Sequence, residues 1–296
     1  MNARAWVNDR LVSADEARID PADRGFTLAD GCFDTALALN GIVFRADRHL
    51  DRLAATCGAL SLPMPRERLA RAQAALAGEI GHGSIRLTVT RGTGARGLAL
   101  PADPQPTLLG IATPLAPHLM FRPMRLAFAE ARRNDRSPLS RLKTLSYLDA
   151  ILETRRAVGI GADEPVFLNT RGRVACSALA NIFLVDDHEF VTPPLDEGVL
   201  DGVMRGELIE TIGCLGATAR IAPIPFDKAR SGRFLLTNSL RIIAPARLVD
   251  GPAFDRTQGA FILELMGQAA DAIARTCGAD PRDLGAAFPT LDRLVA

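Results

Sequence analysis

Lysine is nearly absent from this chain, so its two lysines stand out chemically. Of 35 basic residues only Lys143 and Lys228 are lysines, and the rest are arginines. Arginine keeps its proton in a protein and cannot form an imine, whereas a buried lysine amine can lose its proton and can condense with a carbonyl. Each lysine is therefore either a chemical group or an ordinary surface charge. Other familiar constellations are missing: there is no Walker sequence, no HExxH and no GxSxG. The run Arg91-Gly92-Thr93-Gly94-Ala95-Arg96-Gly97 has neither a P-loop lysine nor a helical pattern behind it, and reads as a mobile loop. The four histidines are scattered. Cys32, Cys57, Cys176, Cys214 and Cys277 are odd in number and contain no CxxC pair. No metal centre is expected, and the thiols suit a reduced, cytoplasmic setting.

Composition narrows the partners. A hydrophobic fraction of 48% and a charged fraction of 23% are those of a globular chain, and 296 residues suffice for two modest domains. Net charge is +1. The densest basic stretch, from Arg122 to Lys143, is interrupted by Glu130 and Asp135 and carries few aromatics to stack on bases. It reads as a solvated face, which argues against a nucleic-acid partner. The N-terminus has no apolar signal-peptide core, and no apolar run approaches a membrane span, so no membrane partner is expected.

The elements that must position these groups alternate along the chain. Ala5-Trp6-Val7 and Leu11-Val12 flank a hairpin turn at Asn8-Asp9-Arg10, and residues 33–39 and 42–44 flank the type I′ signal Asn40-Gly41. Helices are expected from about Asp47 and over 66–80, then strands over 85–90 and 107–112. Pro114, Pro117 and Pro123 punctuate a linker at 116–123 between an N-terminal domain, 1–115, and a C-terminal domain, 124–296. Beyond it strands are expected at 125–129, 166–168, 174–175, 181–185, 190–192, 234–238 and 242–248, the strand at 190–192 following a turn at Asp186-Asp187. Helices are expected over 144–158, 202–215 and 258–276. The pattern is a mixed α/β (α+β) chain in two lobes.

The ordered set RGFTLADGCFDT, DRHLDRL, TVTRGTGARG, SRLKTLSYLD, FLNTRGRVACSALANIFLV, TPPLDEGVLDGVMR and LLTNSLRIIAP resembles the class IV (fold type IV) pyridoxal phosphate (PLP) enzymes. These include branched-chain and D-amino-acid aminotransferases and aminodeoxychorismate lyase. The resemblance runs from Trp6 to about Asp250 and implies a smaller N-terminal α+β domain and a larger C-terminal mixed-sheet domain. It implies that Lys143 is the Schiff-base lysine and that Arg52 grips the cofactor phosphate, with the backbone of Gly202, Val203 and Met204 and the hydroxyl of Ser239. Leu200 would pack on the ring. Tyr147 would reach the ring oxygen from a helix shared with Lys143. On the substrate side it points to Phe33, Asn238, and Arg91 or Arg96 for a carboxylate.

Two positions depart from the family pattern. Cys176 stands where a glutamate normally faces the ring nitrogen, and Met204 where threonine commonly binds phosphate. A thiol donates only weakly, which implies a less protonated ring and slower carbanion chemistry. The stretches Asp30-Gly31-Cys32-Phe33 and Thr237-Asn238-Ser239-Leu240 most resemble the lyase branch, which forms 4-aminobenzoate and pyruvate. Tyr147 speaks for a transaminase, and Cys176 with Met204 for a homologue without activity. The resemblance also implies a homodimer and a small-molecule substrate, an amino acid or an aminodeoxychorismate-like acid.

Overall fold

The computed structural model of the chain describes residues 4–186 and 189–296. The turn expected at Asp186-Asp187 lies partly outside them. The chain divides into two compact units. The first runs to Ala116 and recruits Leu142–Ser146 and Thr276–Ala279; the second holds Pro117–Arg141, Tyr147–Arg275 and Asp280–Ala296.

Among the described residues the first unit has one six-stranded antiparallel sheet. Its strands are β1 (Arg4–Val7), β2 (Arg10–Ser13), β3 (Gly31–Leu39), β4 (Ile42–Val43), β5 (Gly83–Thr90) and β6 (Thr107–Pro114), in the order β2-β1-β6-β5-β3-β4. Helices α1 (Arg24–Leu28), α2 (Ala46–Ala59) and α3 (Arg66–Ile80) complete it. The β3–β4 turn places Asn40 at φ 50° and Gly41 at φ 74°, as a type I′ hairpin requires. Helix α3 buries Leu69, Ala72, Gln73, Leu76 and Ala77, the i, i+3, i+4, i+7, i+8 stripe of an amphipathic helix. Strand β5 alternates: Ile85, Leu87 and Val89 enter the core against α2 and α3, while Ser84, Arg86 and Thr88 are half-buried on the other face.

The second unit carries a nine-stranded mixed sheet among the described residues. Its strands are β7 (Met124–Phe128), β8 (Glu164–Leu168), β9 (Arg173–Ser177), β10 (Asn181–Asp186), β11 (Glu189–Thr192), β12 (Thr218–Ile221), β13 (Ile224–Pro225), β14 (Arg233–Asn238) and β15 (Ile242–Leu248), in the order β12-β11-β10-β14-β15-β7-β8-β9-β13. Pairs β11/β12, β15/β7 and β7/β8 are parallel. Helices are α4 (Leu148–Gly159), α5 (Val203–Cys214), α6 (Phe226–Ala229), α7 (Arg256–Cys277), whose last residues belong to the first unit, and α8 (Leu291–Val295). Strands β12 and β13 and helices α1, α6 and α8 are too short to leave a periodic signal. Among the described residues no helix is long and apolar enough to cross a membrane.

Two expectations change. The helix expected over 144–158 begins only at Leu148, because the residues before it pair with β3. For the same reason Leu142–Ser146 packs with the first unit rather than with the C-terminal part of the chain.

Candidate active site

Lys143 is placed by strand pairing. Strand β4 pairs with β3 only at Ala38 and Leu39, which leaves the start of β3 with an open edge. The segment around Lys143 takes that edge: Cys32 and Thr144 form an antiparallel bridge, Phe33 N–H donates to the Lys143 carbonyl at 2.9 Å, and Leu145 N–H donates to Gly31 O at 3.1 Å. Residues opposite one another across such a pair project to the same face, so the Lys143 and Phe33 side chains share one. The half-buried Lys143 amine lies 4.6 Å from the Phe33 ring centroid. The Arg86 guanidinium stacks over the same ring at 3.5 Å. Arg86 gave no distinctive signal in sequence, since its only mark is its place on the polar face of β5.

Asp34, the next residue of β3, projects to the opposite face, toward α2. It is 4% exposed. His49 Nδ1 lies 2.7 Å from its Oδ1, Arg52 Nε donates to Oδ2 at 2.7 Å, and Arg52 Nη2 donates to Oδ1 at 3.0 Å. Burial pushes the Asp34 carboxyl up, but Arg52 and His49 pull harder and hold it down at about 2. Arg52 is thus oriented by a buried carboxylate that no sequence pattern indicated.

Arg91 is engaged within its own unit. Its Nε and Nη2 form a fork on Asp30 at 2.8 and 3.0 Å, and it also donates to Ser61 O and Leu60 O. Four of its five N–H groups are committed to the protein, and its side chain is buried. Asp30 is shared with Arg24, and the two arginines outweigh burial and hold its carboxyl below the usual range. Nor is the glycine-rich run a free loop: Arg24 reaches Gly97 O, Arg24 N–H donates to Gly92 O, and Thr93 bridges Asp23. Arg96 is exposed on that run.

In the second unit, α5 opens at Gly202 with no side-chain cap, so its first-turn N–H groups form an anion-seeking end. A Cβ at Gly202 would meet Asn181 Oδ1 at 1.9 Å, so this approach needs glycine. Asn181 Nδ2 in turn donates to Leu200 O at 2.8 Å and ties the loop to β10. Leu200 is half-buried, while Val203 and Met204 are buried, so Met204 offers the end of the helix its backbone and not its side chain. Ser239 stands half-buried in the β14–β15 turn. Asn238 organises that turn: its Oδ1 accepts from Leu240 and Arg241 N–H and its Nδ2 donates to Leu179 O.

Cys176 is half-buried on β9, and burial raises its thiol while Arg133 acts the other way. The thiol stays neutral near pH 7 and cannot replace a carboxylate. Tyr147 is half-buried at the N-cap of α4, its carbonyl accepting from Ile151 N–H. Lys143 lies outside that helix, so the expected shared helical face does not exist. Among the described residues no group of three or more His, Cys, Asp or Glu is arranged to hold a metal.

The sequence model of a family described as Amino-transferase class IV matches residues 31–249. The chain belongs to this family. A D-alanine aminotransferase of Listeria innocua is 28% identical over 283 residues, covering 93% of this chain and 98% of that protein. Among solved structures, the 4-amino-4-deoxychorismate lyase of Pseudomonas aeruginosa is 28% identical with a TM-score of 0.80, covering 90% of this chain and 98% of its own. The branched-chain aminotransferase of Thermoproteus uzoniensis, 23% identical with a TM-score of 0.79 over 92% of this chain and 98% of its own, shares the fold. The two sheets are those of fold type IV, and the chain is an enzyme of the class IV aminotransferase/lyase family, whose members depend on PLP. Each unit carries groups whose chemistry fits PLP: in the first, a lysine amine beside an aromatic face and a carboxylate-oriented arginine, and in the second, a helix N-terminus without a side-chain cap. Cys176, whose thiol burial raises, and Met204, whose side chain is buried, are the two positions that depart from the family pattern.

Proposed function

We propose that this enzyme binds PLP through Lys143 and acts on an amino-bearing acid, and that its reaction is the elimination of pyruvate from 4-amino-4-deoxychorismate. The observation that carries the reading is the Lys143 amine held over Phe33 by strand pairing, with Arg86 stacked on the same ring. When bound, the cofactor supplies an aldehyde for the amino group and an electron-withdrawing ring for carbanion charge. Lys143 would hold the cofactor through its amine and would carry a proton at the substrate carbon. Arg52, the backbone of Val203 and Met204, and Ser239 hold the phosphate; Leu200, Tyr147 and Cys176 attend the ring. Arg86 replaces Arg91 as the cation for a substrate carboxylate, since it lies on the lysine's face of the sheet.

The lyase reading is supported by the stretch Asp30-Gly31-Cys32-Phe33 and by likeness to the Pseudomonas aeruginosa lyase. Tyr147 and the equal identity to the Listeria innocua D-alanine aminotransferase favour a second reading, an aminotransferase for D- or branched-chain amino acids. Pyruvate released from aminodeoxychorismate without an amino acceptor would establish the lyase. Turnover that requires an added 2-oxo acid, converting it to the amino acid, would replace it with the transaminase. Neither turnover, in folded protein, would point to the homologue without activity. The enzyme is further proposed to be a cytoplasmic homodimer. Its five free cysteines fit a reducing compartment, and α4 exposes Leu148, Ile151 and Leu152, apolar side chains that a second copy would cover. Light scattering of the eluted protein tests the dimer.

A further inference from the structure

We propose that Asp34 and His49 are positioning residues that fix the Arg52 guanidinium for the cofactor phosphate. The inference rests on the reading of Arg52 given above and deepens it. Strand β3 supplies Asp34, and α2 supplies His49 and, three residues on, Arg52. The carboxylate is 4% and the imidazole 2% exposed. Leu50, Leu53, Ile85, Leu87 and Gln73 pack around them and leave no room for a water molecule. An ionised carboxylate only accepts hydrogen bonds, so His49 Nδ1 carries the proton directed at Asp34. Oδ1 of Asp34 is thereby held by His49 independently of Arg52, while Oδ2 receives Arg52 Nε.

A guanidinium has two edges that bind an acid as a fork. Asp34 takes the Nε–Nη2 edge as such a fork, and the carboxylate thereby sets the direction of the whole guanidinium plane. Arg52 reaches this carboxylate from a long and otherwise rotamer-rich side chain, which ordering before binding makes ready for its ligand. A structural pair alone explains little, since a buried ion pair is seldom more stable than apolar residues of the same shape. The alternative to positioning predicts the opposite sign. If Asp34 merely neutralised Arg52, removing its charge would strengthen phosphate binding.

The test compares the dissociation constants of PLP and of pyridoxal, which lacks the phosphate, by cofactor absorbance, in variants checked for folding by near-UV circular dichroism. Arg52→Ala should abolish the preference for PLP over pyridoxal. An unchanged preference there would remove the underlying reading of Arg52. Asp34→Asn should weaken PLP up to about tenfold, the cost of one disordered long side chain, and leave pyridoxal within about twofold. His49→Leu should act in the same direction more weakly, and His49→Asn, which keeps a donor near Nδ1, should restore binding. If Arg52→Ala abolishes the preference while Asp34→Asn leaves PLP binding unchanged, tightens it, or weakens PLP and pyridoxal alike, the positioning role is overturned. Should Asp34→Asn not fold, the His49 pair decides by the same criterion.

Discussion

The backbone N–H of Phe33 donates to the carbonyl of Lys143 at 2.9 Å, so the lysine is registered against the third strand of the first unit's sheet. That register brings its amine to the face of the Phe33 ring, where Arg86 also sits. The arrangement separates two kinds of arginine in this unit: Arg86, on the lysine's face, and Arg91, consumed by Asp30 and two carbonyls.

Replacing Arg86 by glutamine should therefore impair substrate and not cofactor. Losing one charge-assisted contact to a carboxylate is worth about 1.5–3 kcal/mol, or a KM raised about tenfold to a hundredfold. The absorbance of bound PLP should not move. Steady-state kinetics and a cofactor titration on the same preparation separate the two, and an unchanged KM would assign the carboxylate to another residue.

Arg91→Gln should have the reverse profile. It removes the buried Arg91 from a half-buried carboxylate, where breaking a fully buried pair would cost about 3–5 kcal/mol. Arg24 still faces Asp30, so the lower end is expected. Urea denaturation should show the loss, with KM unchanged in the folded enzyme. A large rise in KM without loss of stability would restore Arg91 to the substrate.

These two arginines show how much the sequence reveals. Helix α3 was legible because its buried face repeats with the period of a helix, and β15 because it is a short, mostly apolar run, buried from Ile242 to Ala246. The fold class and the lysine followed from ordered motifs. The helix expected over 144–158 starts late, at Leu148, because Leu145, Leu148, Ile151 and Leu152 continue a helical pattern, yet the last three are exposed and Leu145 is tied to Gly31. A β-bridge to residues more than a hundred positions away leaves no local trace. In the same way, Arg91 looks like any loop arginine until Asp30 is brought to it, and Asp34 looks like any strand aspartate until α2 delivers His49 and Arg52.

Acid should unmask Asp34. Its carboxyl is held at about 2, below the roughly 3.9 of an unfolded aspartate. A depressed value of this kind stabilises the fold fully above the unfolded value, and the contribution is lost as the pH falls toward and through 2. The difference is worth about 2–3 kcal/mol. Unfolding free energies measured from pH 5 down to pH 2 should fall more steeply in the parent protein than in Asp34→Asn, and parallel curves would show that the carboxylate is not so held.

Cys176→Glu should bring a carboxylate to a position where the thiol is neutral. The expected result is a higher protonated fraction of the bound cofactor's ring, read as a displaced pH titration of its absorption, and a faster reaction if electron withdrawal limits turnover. An unchanged titration in a folded variant would mean that position 176 does not attend the ring nitrogen.

The central claim is the covalent link to Lys143. The direct measurement is the visible spectrum of the protein saturated with PLP, beside Lys143→Ala, followed by borohydride reduction and peptide mapping. The account predicts a lysine-bound cofactor band that is absent from the variant, and a reduced adduct on the peptide containing Lys143. A band that survives in Lys143→Ala, an adduct mapped to Lys228, or neither band nor adduct in the folded parent protein would contradict it.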